Sequence, residues 1–251
     1  MHGGDQERGE RSEAARDAQG GAGRGVVAVL AALDRELAPL AALPDAEAPL
    51  DRQGLVILRR RIAGIDVVAA VGGVGKVRAA RAASLLLAAA DEVSGGSPAR
   101  ALLVVGVAGG LVSSLGPGAL VHCTRAIQAD FAVRDGREHG SSDALRDAWR
   151  AAAPGEVGWF LTADRPVLSP WRRLRLRRAF QGPCVADMET AAAAGVAALA
   201  GVPWAALRAV SDRAGMLGGA EFRKNFPVQA GRAAATVPAL LERLGQGEGL
   251  S

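Results

Sequence analysis

Short apolar runs alternate with longer segments of helical periodicity along most of the chain. The apolar runs predict strands at 26–31, 54–62, 65–71, 101–105, 119–127, 158–162 and 204–210. The segments between them predict a helix that starts at 33, which a proline shortens, and helices at 77–90, 171–180, 188–200 and 221–244. Strands that alternate with helices over this length are typical of a doubly wound, three-layer α/β/α domain.

The stretch 185–214 carries polar residues at both ends of an uncharged apolar run. It opens on Asp187-Met188-Glu189 and ends with Ser211-Asp212 followed by two further residues. Gly201-Val202-Pro203 interrupts the run, which argues against a membrane-spanning helix. The stretch therefore predicts a buried helix, a turn and a buried strand with Pro203 at its first position.

Acidic residues and glycines follow the predicted strands. Glu36 lies just past the first strand, the glycine-rich segment 106–110 follows the fourth, and Asp212 follows the last long one. Glu189 opens the helix that leads into that last strand. Because ligands of such sheets bind outside the carboxyl ends of the strands, we expect these residues to face one crevice.

The glycine-rich segments match neither of two common phosphate-binding motifs. The segment 72–76 has Ala70 and Val77 where a phosphate-binding loop needs Gly and Ser or Thr. The segment 106–110 lacks the GxGxxG spacing of a dinucleotide site. Close approach of backbone, to packing neighbours or to a ligand, is the simpler reason for these glycines.

Length and composition favour one large domain. The 251 residues are 49% apolar, enough for a full core, and we expect the domain to span 25–246. The segment 1–24 is rich in glycine and mixed charge without apolar periodicity, which predicts a disordered tail. The N-terminus lacks the basic-then-apolar pattern of a signal peptide, so a cytoplasmic location is expected.

Composition also argues against several classes of partner. The chain has no Tyr and only 4% aromatic residues, which disfavours a stacking surface for single-stranded nucleic acid. Its net charge of +4 is carried by Arg far more than by Lys, as GC-rich coding also produces. Cys123 and Cys184 lack metal-ligand spacing and indicate a reducing compartment. We expect no metal, cofactor, nucleic-acid or membrane partner.

Paired carboxylates beside a glycine-lined floor suit several reactions. Cleavage of a glycosidic bond is one, because one carboxyl group can protonate the leaving group while another activates water. Zinc is disfavoured because no histidine cluster accompanies the acids. Magnesium is the remaining metal alternative, and it is disfavoured because the acids lack the close spacing expected of its ligands.

Four segments resemble the nucleoside phosphorylase/nucleosidase superfamily, and within it the methylthioadenosine/S-adenosylhomocysteine nucleosidases. They are GVGKVRAA (73–80), GVAGGL (106–111), DMETAAAAGVA (187–197) and LRAVSD (207–212), in the order seen in that family. The match covers about 26–244. The resemblance implies a three-layer fold with a mixed, mostly parallel sheet, no cofactor, a small-molecule nucleoside substrate and a homodimer.

The resemblance also implies roles for individual residues. Asp212 is similar to the general acid that protonates N7 of a purine leaving group, with Ser211 holding it in place. Glu36 matches the acid that orients the attacking water. Glu189 resembles the residue that hydrogen-bonds the ribose hydroxyls, and Met188 the one that packs against the sugar. The predicted substrate-binding set comprises Glu189, Met188, Asp187, Ser211, Val107 and Gly109.

The resemblance leaves hydrolysis, phosphorolysis and binding without turnover as alternatives. Phosphorylases of the superfamily hold phosphate with arginines and a hydroxyl residue, whereas Val107 stands at the hydroxyl position. An unpaired phosphate would be costly to desolvate, and Glu36 would repel it, so hydrolysis is favoured. A phosphorylase, including the hopanoid-associated type, and a noncatalytic nucleotide-binding module are the alternatives.

Two loops depart from the family pattern. The loop 163–166 has no aromatic residue where the nucleosidases place a Phe that stacks on adenine, and the loop 128–130 is shortened. Base stacking is worth about 1–3 kcal/mol in nucleic-acid complexes, so adenine specificity and a futalosine-type substrate both stay open. The Arg-rich helix 171–180 is expected to be solvated with an apolar underside, or else to bind an anion or a partner.

Overall fold

A computed structural model describes residues 25–44, 46–133, 135–180 and 182–247, so the predicted tail at 1–24 lies outside the described residues. The strands are β1 (Val27–Ala31), β2 (Ala46–Arg52), β3 (Leu55–Ile62), β4 (Ile65–Val71), β5 (Ala101–Gly110), β6 (Leu120–Gln128), β7 (Glu138–Gly140), β8 (Glu156–Thr162), β9 (Cys184–Asp187) and β10 (Trp204–Asp212). The α-helices are α1 (Asp34–Ala41), α2 (Lys76–Val93), α3 (Asp143–Ala152), α4 (Pro170–Ala179), α5 (Thr190–Leu199), α6 (Gly218–Gln229) and α7 (Val237–Gly245).

The ten strands form one mixed sheet that is partly closed. Its order is β10-β6-β8-β9-β5-β1-β4-β3-β2, and β10 also pairs with β5, which joins five strands into a ring. Five strand pairs are parallel: β1–β4, β1–β5, β5–β10, β6–β8 and β8–β9. The antiparallel pairs come from the β2-β3-β4 meander, from short β7 and β9, and from the β6–β10 closure.

Helices cover both faces of this sheet, which confirms the predicted three-layer α/β architecture. On one face, α2 and α5 pack through alanines such as Ala82 and Ala193, whose small side chains allow close approach. On the other face, α1, α3 and α7 contribute Leu37, Trp149 and Leu240 to a second core cluster. None of the helices described is long and apolar enough to cross a bilayer.

Strand β10 carries the chemistry of the stretch that the sequence analysis singled out. All nine of its residues are buried, as expected for a strand enclosed on both faces. Its register against β5 shifts between Val210 and Asp212, and such an irregularity re-aims the side chains at the strand end. The strand thus delivers Ser211 and Asp212 to the carboxyl edge of the sheet.

The predicted closing helix at 221–244 is wrong. The chain instead forms α6 and α7, joined through a short 3₁₀ turn at Ala234–Thr236. Gly231 lies so close to Pro39 of α1 that an added Cβ would meet the proline ring at 2.7 Å, so the chain bends there to pack on α1. Both helices have apolar periodicity, so the sequence pattern does not show the break between them.

Four elements were not predicted, among them the three-residue strand β7, and one predicted strand was too short. Strand β2 has an exposed, polar sequence, β9 has only four residues, and α3 was missed although Ser142 caps it by accepting a hydrogen bond from the Leu145 N–H. The strand predicted at 101–105 continues to Gly110. The glycine-rich segment is therefore the end of β5 itself.

Replacing Gly158 of β8 by alanine should destabilise the fold. An added Cβ would lie 2.5 Å from the carbonyl oxygen of Pro183, a backbone atom that cannot move cheaply. We expect Gly158→Ala to lower the free energy of unfolding by about 1–3 kcal/mol in urea denaturation. Gly140→Ala in β7, where nothing lies within 4 Å of the new Cβ, is the control. Equal losses for the two variants would contradict this account of the packing.

Candidate active site

A cavity of about 380 Å³ opens at the carboxyl ends of β1, β5 and β10. The structure brings Glu36 and Asp212 to this one cavity, although they lie 176 positions apart along the chain. All the residues predicted for the site line it: Glu36, Val107, Gly109, Asp187, Met188, Glu189, Ser211 and Asp212. The sequence prediction of a shared crevice therefore agrees with the geometry, while the roles of these residues stay predictions.

Glu36 is fixed at the floor of the cavity by backbone donors. Its Oε2 accepts hydrogen bonds from the N–H groups of Ala32 and Leu33, both at 2.9 Å, and its Oε1 accepts one from Val107 at 2.9 Å. Burial raises the pKa of the Glu36 carboxyl, while the charge of Arg208 and the backbone donors act in the opposite direction. The side chain is thus held in one orientation in the first turn of α1.

Arg208 is the central charge of the site, and the sequence analysis assigned it no role. Its Nη2 lies 3.1 Å from Asp187 Oδ2, 3.0 Å from Thr190 Oγ1 and 3.4 Å from Glu189 Oε2. Nη1 donates to the carbonyl oxygen of Val105 at 3.3 Å. A charged residue in the middle of the buried strand WAALRAVSD was the available signal, because a buried charge requires a partner.

Gly106 makes room for this arrangement. Its φ of +146° lies in a region that favours glycine, and an added Cβ would collide with Arg208 Nη1 and come within 2.5 Å of Glu36 Oε1. The next residue, Val107, donates its N–H to Glu36. The glycine-rich end of β5 therefore serves the close approach that the sequence suggested, with a carboxylate and a guanidinium as its neighbours.

Glu189 lies at the start of α5, where it joins two walls of the cavity. Its Oε1 accepts a hydrogen bond from the N–H of Gly75 at 3.0 Å, and its Oε2 faces Arg208. Burial raises the pKa of Glu189 to about 7, against the lowering effect of the Arg208 charge, and the neighbouring Asp187 adds to the rise. Met188, half-buried, lines the cavity beside it.

The Asp187 carboxylate faces the protein. Its Oδ1 accepts a hydrogen bond from Thr162 Oγ1 at 2.5 Å, and its Oδ2 accepts from the Thr190 hydroxyl and from Arg208. The side chain is completely buried. This geometry favours anchoring of Arg208 over the direct substrate contact that was predicted for Asp187.

Asp212 lies across the cavity, with both carboxylate oxygens hydrogen-bonded. Oδ1 accepts from the N–H of Ala214 at 2.9 Å, and Oδ2 accepts from the Ser211 hydroxyl at 2.8 Å. Asn225 of α6 donates to the Ser211 carbonyl at 2.9 Å, which ties this strand end to the helix. Burial raises the pKa of Asp212, although the hydrogen bond from Ser211 acts against it. The geometry suits the holding role predicted for Ser211.

The remaining wall is apolar and carries an aromatic side chain that the sequence analysis missed. Pro166, Val167 and Leu168 line it from the loop before α4, and Phe222 lines it from α6. Phe222 occupies an ordinary apolar position in the helical pattern of 218–229, so the pattern alone does not mark it as a site residue. Arg165 and Arg223 also line the cavity, and both are exposed at its mouth.

Comparison with known proteins identifies the family. Residues 26–244 match the phosphorylase superfamily. The chain belongs to the phosphorylase superfamily. The resemblance drawn from the four sequence motifs is thereby confirmed, and so is the fold class that it implied.

Relatives within the phosphorylase superfamily are named nucleosidases. The 5′-methylthioadenosine/S-adenosylhomocysteine nucleosidase of Geobacillus kaustophilus is 28% identical over 236 residues, which cover 87% of this chain and 97% of the relative. The S-adenosylhomocysteine nucleosidase of Streptococcus pyogenes superimposes with a TM-score of 0.80 at 25% identity, covering 88% and 98% of the two chains. The futalosine hydrolase of Helicobacter pylori shares the fold, with a TM-score of 0.78 at 21% identity and coverage of 88% and 98%.

Removing the guanidinium should destabilise this superfamily member in a pH-dependent way. Arg208→Met leaves Asp187 and Glu189 buried without a cation, so we expect a loss of about 3–5 kcal/mol in urea denaturation at pH 8. The loss should shrink towards pH 5, because the stranded Glu189 carboxyl group can then take up a proton. Arg125→Met, which removes an exposed partner of Glu138, should cost about 1 kcal/mol or less at either pH. A loss independent of pH would contradict the pairing.

Glu189→Gln should change the pH dependence of stability. The folded-state pKa of about 7 exceeds the ordinary value of 4.5, so the native wild type holds an extra proton between these values. Its stability therefore falls as pH rises through this window and levels off above about pH 7, whereas Gln cannot ionise. The variant should gain on the order of 1–3 kcal/mol relative to wild type between pH 5 and pH 8. Melting temperatures measured across that range check this, and parallel curves would refute it.

Proposed function

We propose that the protein is a nucleosidase that hydrolyses the N-glycosidic bond of a purine nucleoside or a 5′-modified adenosine and releases the free base. The methylthioadenosine/S-adenosylhomocysteine type of substrate, to which the relatives' names refer, is the one we assign. The observation that carries the proposal is that Asp212 and Glu36 line one cavity. Glu189 also lines this cavity, and its carboxylate contacts Arg208.

Asp212 acts as the proton donor in this proposal. A general acid must keep its proton near neutral pH, and burial raises the pKa of this carboxyl in the required direction. Ser211 and the Ala214 N–H hold the group in a fixed orientation. Proton transfer to N7 withdraws electrons from the glycosidic bond and lets the base leave as a neutral molecule.

Glu36 and Glu189 act on the sugar of the substrate. Glu36, held by three backbone N–H groups, accepts a hydrogen bond from water and takes up its proton as the water oxygen bonds to the anomeric carbon. Glu189 and Met188 bind the ribose hydroxyls and the sugar face. Carboxylates near the sugar also stabilise the positive charge that develops in an oxocarbenium-like transition state.

The charges of the cavity favour water over phosphate as the nucleophile. The guanidinium of Arg208 is already engaged by carboxylates and a carbonyl oxygen, so it offers little to an incoming dianion. Val107 contributes a backbone donor to Glu36 and no hydroxyl. Glu36 itself would repel phosphate. Phosphorolysis remains the alternative activity, and binding without turnover the alternative of a different class.

One assay separates these alternatives. Adenine release from methylthioadenosine is measured with and without inorganic phosphate in the same buffer. Release that is independent of phosphate supports hydrolysis, and strict dependence on phosphate supports a phosphorylase. Tight binding of methylthioadenosine without release supports the binding module.

We assign the enzyme to nucleoside metabolism, with methionine salvage as its setting, in the cytoplasm and as a homodimer.

Both Cys123 and Cys184 are buried and free, and burial raises the pKa of each thiol, so neither is a reactive group under ordinary conditions.

Asp212→Asn should abolish most turnover and spare binding. The amide keeps the shape of the carboxyl group but cannot donate an acidic proton, so kcat should fall by about 10²–10⁴-fold. The Kd of methylthioadenosine, measured by calorimetry on the same preparation, should change by about threefold or less. Asp143→Asn, at an exposed position of α3, is the control and should behave as wild type. An unchanged kcat in Asp212→Asn would remove this residue from its role.

A further inference from the structure

Lys76 connects three segments of the chain, and two of them, around Val74 and at 165–168, border the cavity. It is one of two lysines among the 30 lysine and arginine residues of the chain, and it is the first residue of α2. Its Nζ lies 2.8 Å from Asp130 Oδ1 and 3.2 Å from Asp164 Oδ2. The Asp164 N–H donates to the second oxygen of Asp130 at 2.7 Å, which closes the cluster.

This cluster is shielded well enough to hold its geometry. The Lys76 side chain is only 15% exposed, against 28% for Asp130 and 65% for Asp164. Burial alone would lower the pKa of Lys76, but the hydrogen bonds and charges of Asp130 and Asp164 outweigh it and raise the pKa. The ammonium therefore stays charged, and it offers three donors in a compact head that two carboxylates can share.

The cluster links opposite walls of the cavity. Directly before Lys76, the Gly75 N–H holds Glu189 on the sugar side. Directly after Asp164, the residues 165–168 form the part of the apolar wall that contributes no aromatic ring of its own. We propose that Lys76 is a positioning residue that fixes the loop 164–168 against α2 and thereby sets the affinity for the base. This inference rests on the proposed nucleosidase function.

A fixed wall matters here because the loop itself offers Pro166, Val167 and Leu168 in place of an aromatic ring. Non-aromatic side chains bind a flat base more tightly when they are already in place, because ordering a free loop on binding lowers the affinity for the base. Without the ammonium, the carboxylates of Asp130 and Asp164 would face each other across the same gap. Their repulsion would favour movement of the more exposed Asp164, together with the loop that follows it.

Lys76→Met tests the inference, with Arg146→Met as a matched control. Arg146 also holds two carboxylates, those of Asp143 and Asp147, with its side chain 16% exposed, but its helix α3 does not line the cavity. In Lys76→Met we expect KM for methylthioadenosine and the inhibition constant of free adenine to rise together, by about five- to twentyfold. The change in kcat should stay within about threefold, because Asp212 and Glu36 keep their own hydrogen bonds.

Lys76→Arg restores the charge with a larger, planar head, so it should recover part of the lost adenine affinity. Hydrogen–deuterium exchange of the segment 163–168 provides a readout that does not depend on catalysis. Exchange there should become faster in Lys76→Met and stay unchanged in Arg146→Met.

The outcomes separate the two proposals. A wild type that releases no adenine would defeat the nucleosidase function, whatever the loop does. An active wild type with equal adenine inhibition constants in wild type, Lys76→Met and Arg146→Met would overturn the positioning role alone. A parallel loss of stability and kcat in Lys76→Met, without a change in adenine affinity, would also overturn it by showing a purely structural role.

Discussion

The guanidinium of Arg208 is the interaction on which the cavity depends. It projects from the middle of β10 and is contacted by Asp187 from the end of β9 and by Glu189 and Thr190 from the start of α5. Buried carboxylates and a buried guanidinium are each costly without the other, so the cluster fixes these elements relative to one another at one point. Gly106 of β5 must lack a side chain because that point lies against its Cα.

The same cluster determines what the cavity can bind. Glu36, Asp187 and Glu189 all act electrostatically on Arg208, so carboxylates outnumber the guanidinium in this wall. Burial is the main cause of the raised pKa of Glu189, and the neighbouring carboxylates add to it. The excess of carboxylates also makes the wall hostile to a phosphate dianion. It also matches a sugar that becomes positive as its bond to the base breaks. Fold, charge and proposed chemistry thus follow from one arrangement.

The sequence predicted the acids of the site better than the groups that hold them. Glu36 and Asp212 could be found because each follows an apolar strand, and the carboxyl ends of strands in such a sheet meet at one edge. Arg208 lies inside an apolar strand, where only its partners, distant in sequence, explain it. Phe222 follows an ordinary helical pattern, and Lys76 ends the glycine-rich segment 72–76. The roles proposed for them depend on tertiary contacts that a local pattern does not encode. The break between α6 and α7 was missed for the same reason, since the chain there packs closely on Pro39, which is distant in sequence.

The central claim is that the cavity wall is built to stabilise a positive sugar. It is tested most directly by calorimetry with two adenine-bearing ligands that differ only in the sugar ring, one with a pyrrolidinium nitrogen and one with a neutral tetrahydrofuran. The account predicts that the cationic ligand binds about tenfold tighter or more near pH 7.5, a difference of ~1.4 kcal/mol. Equal affinities, or a preference for the neutral ring, would contradict it.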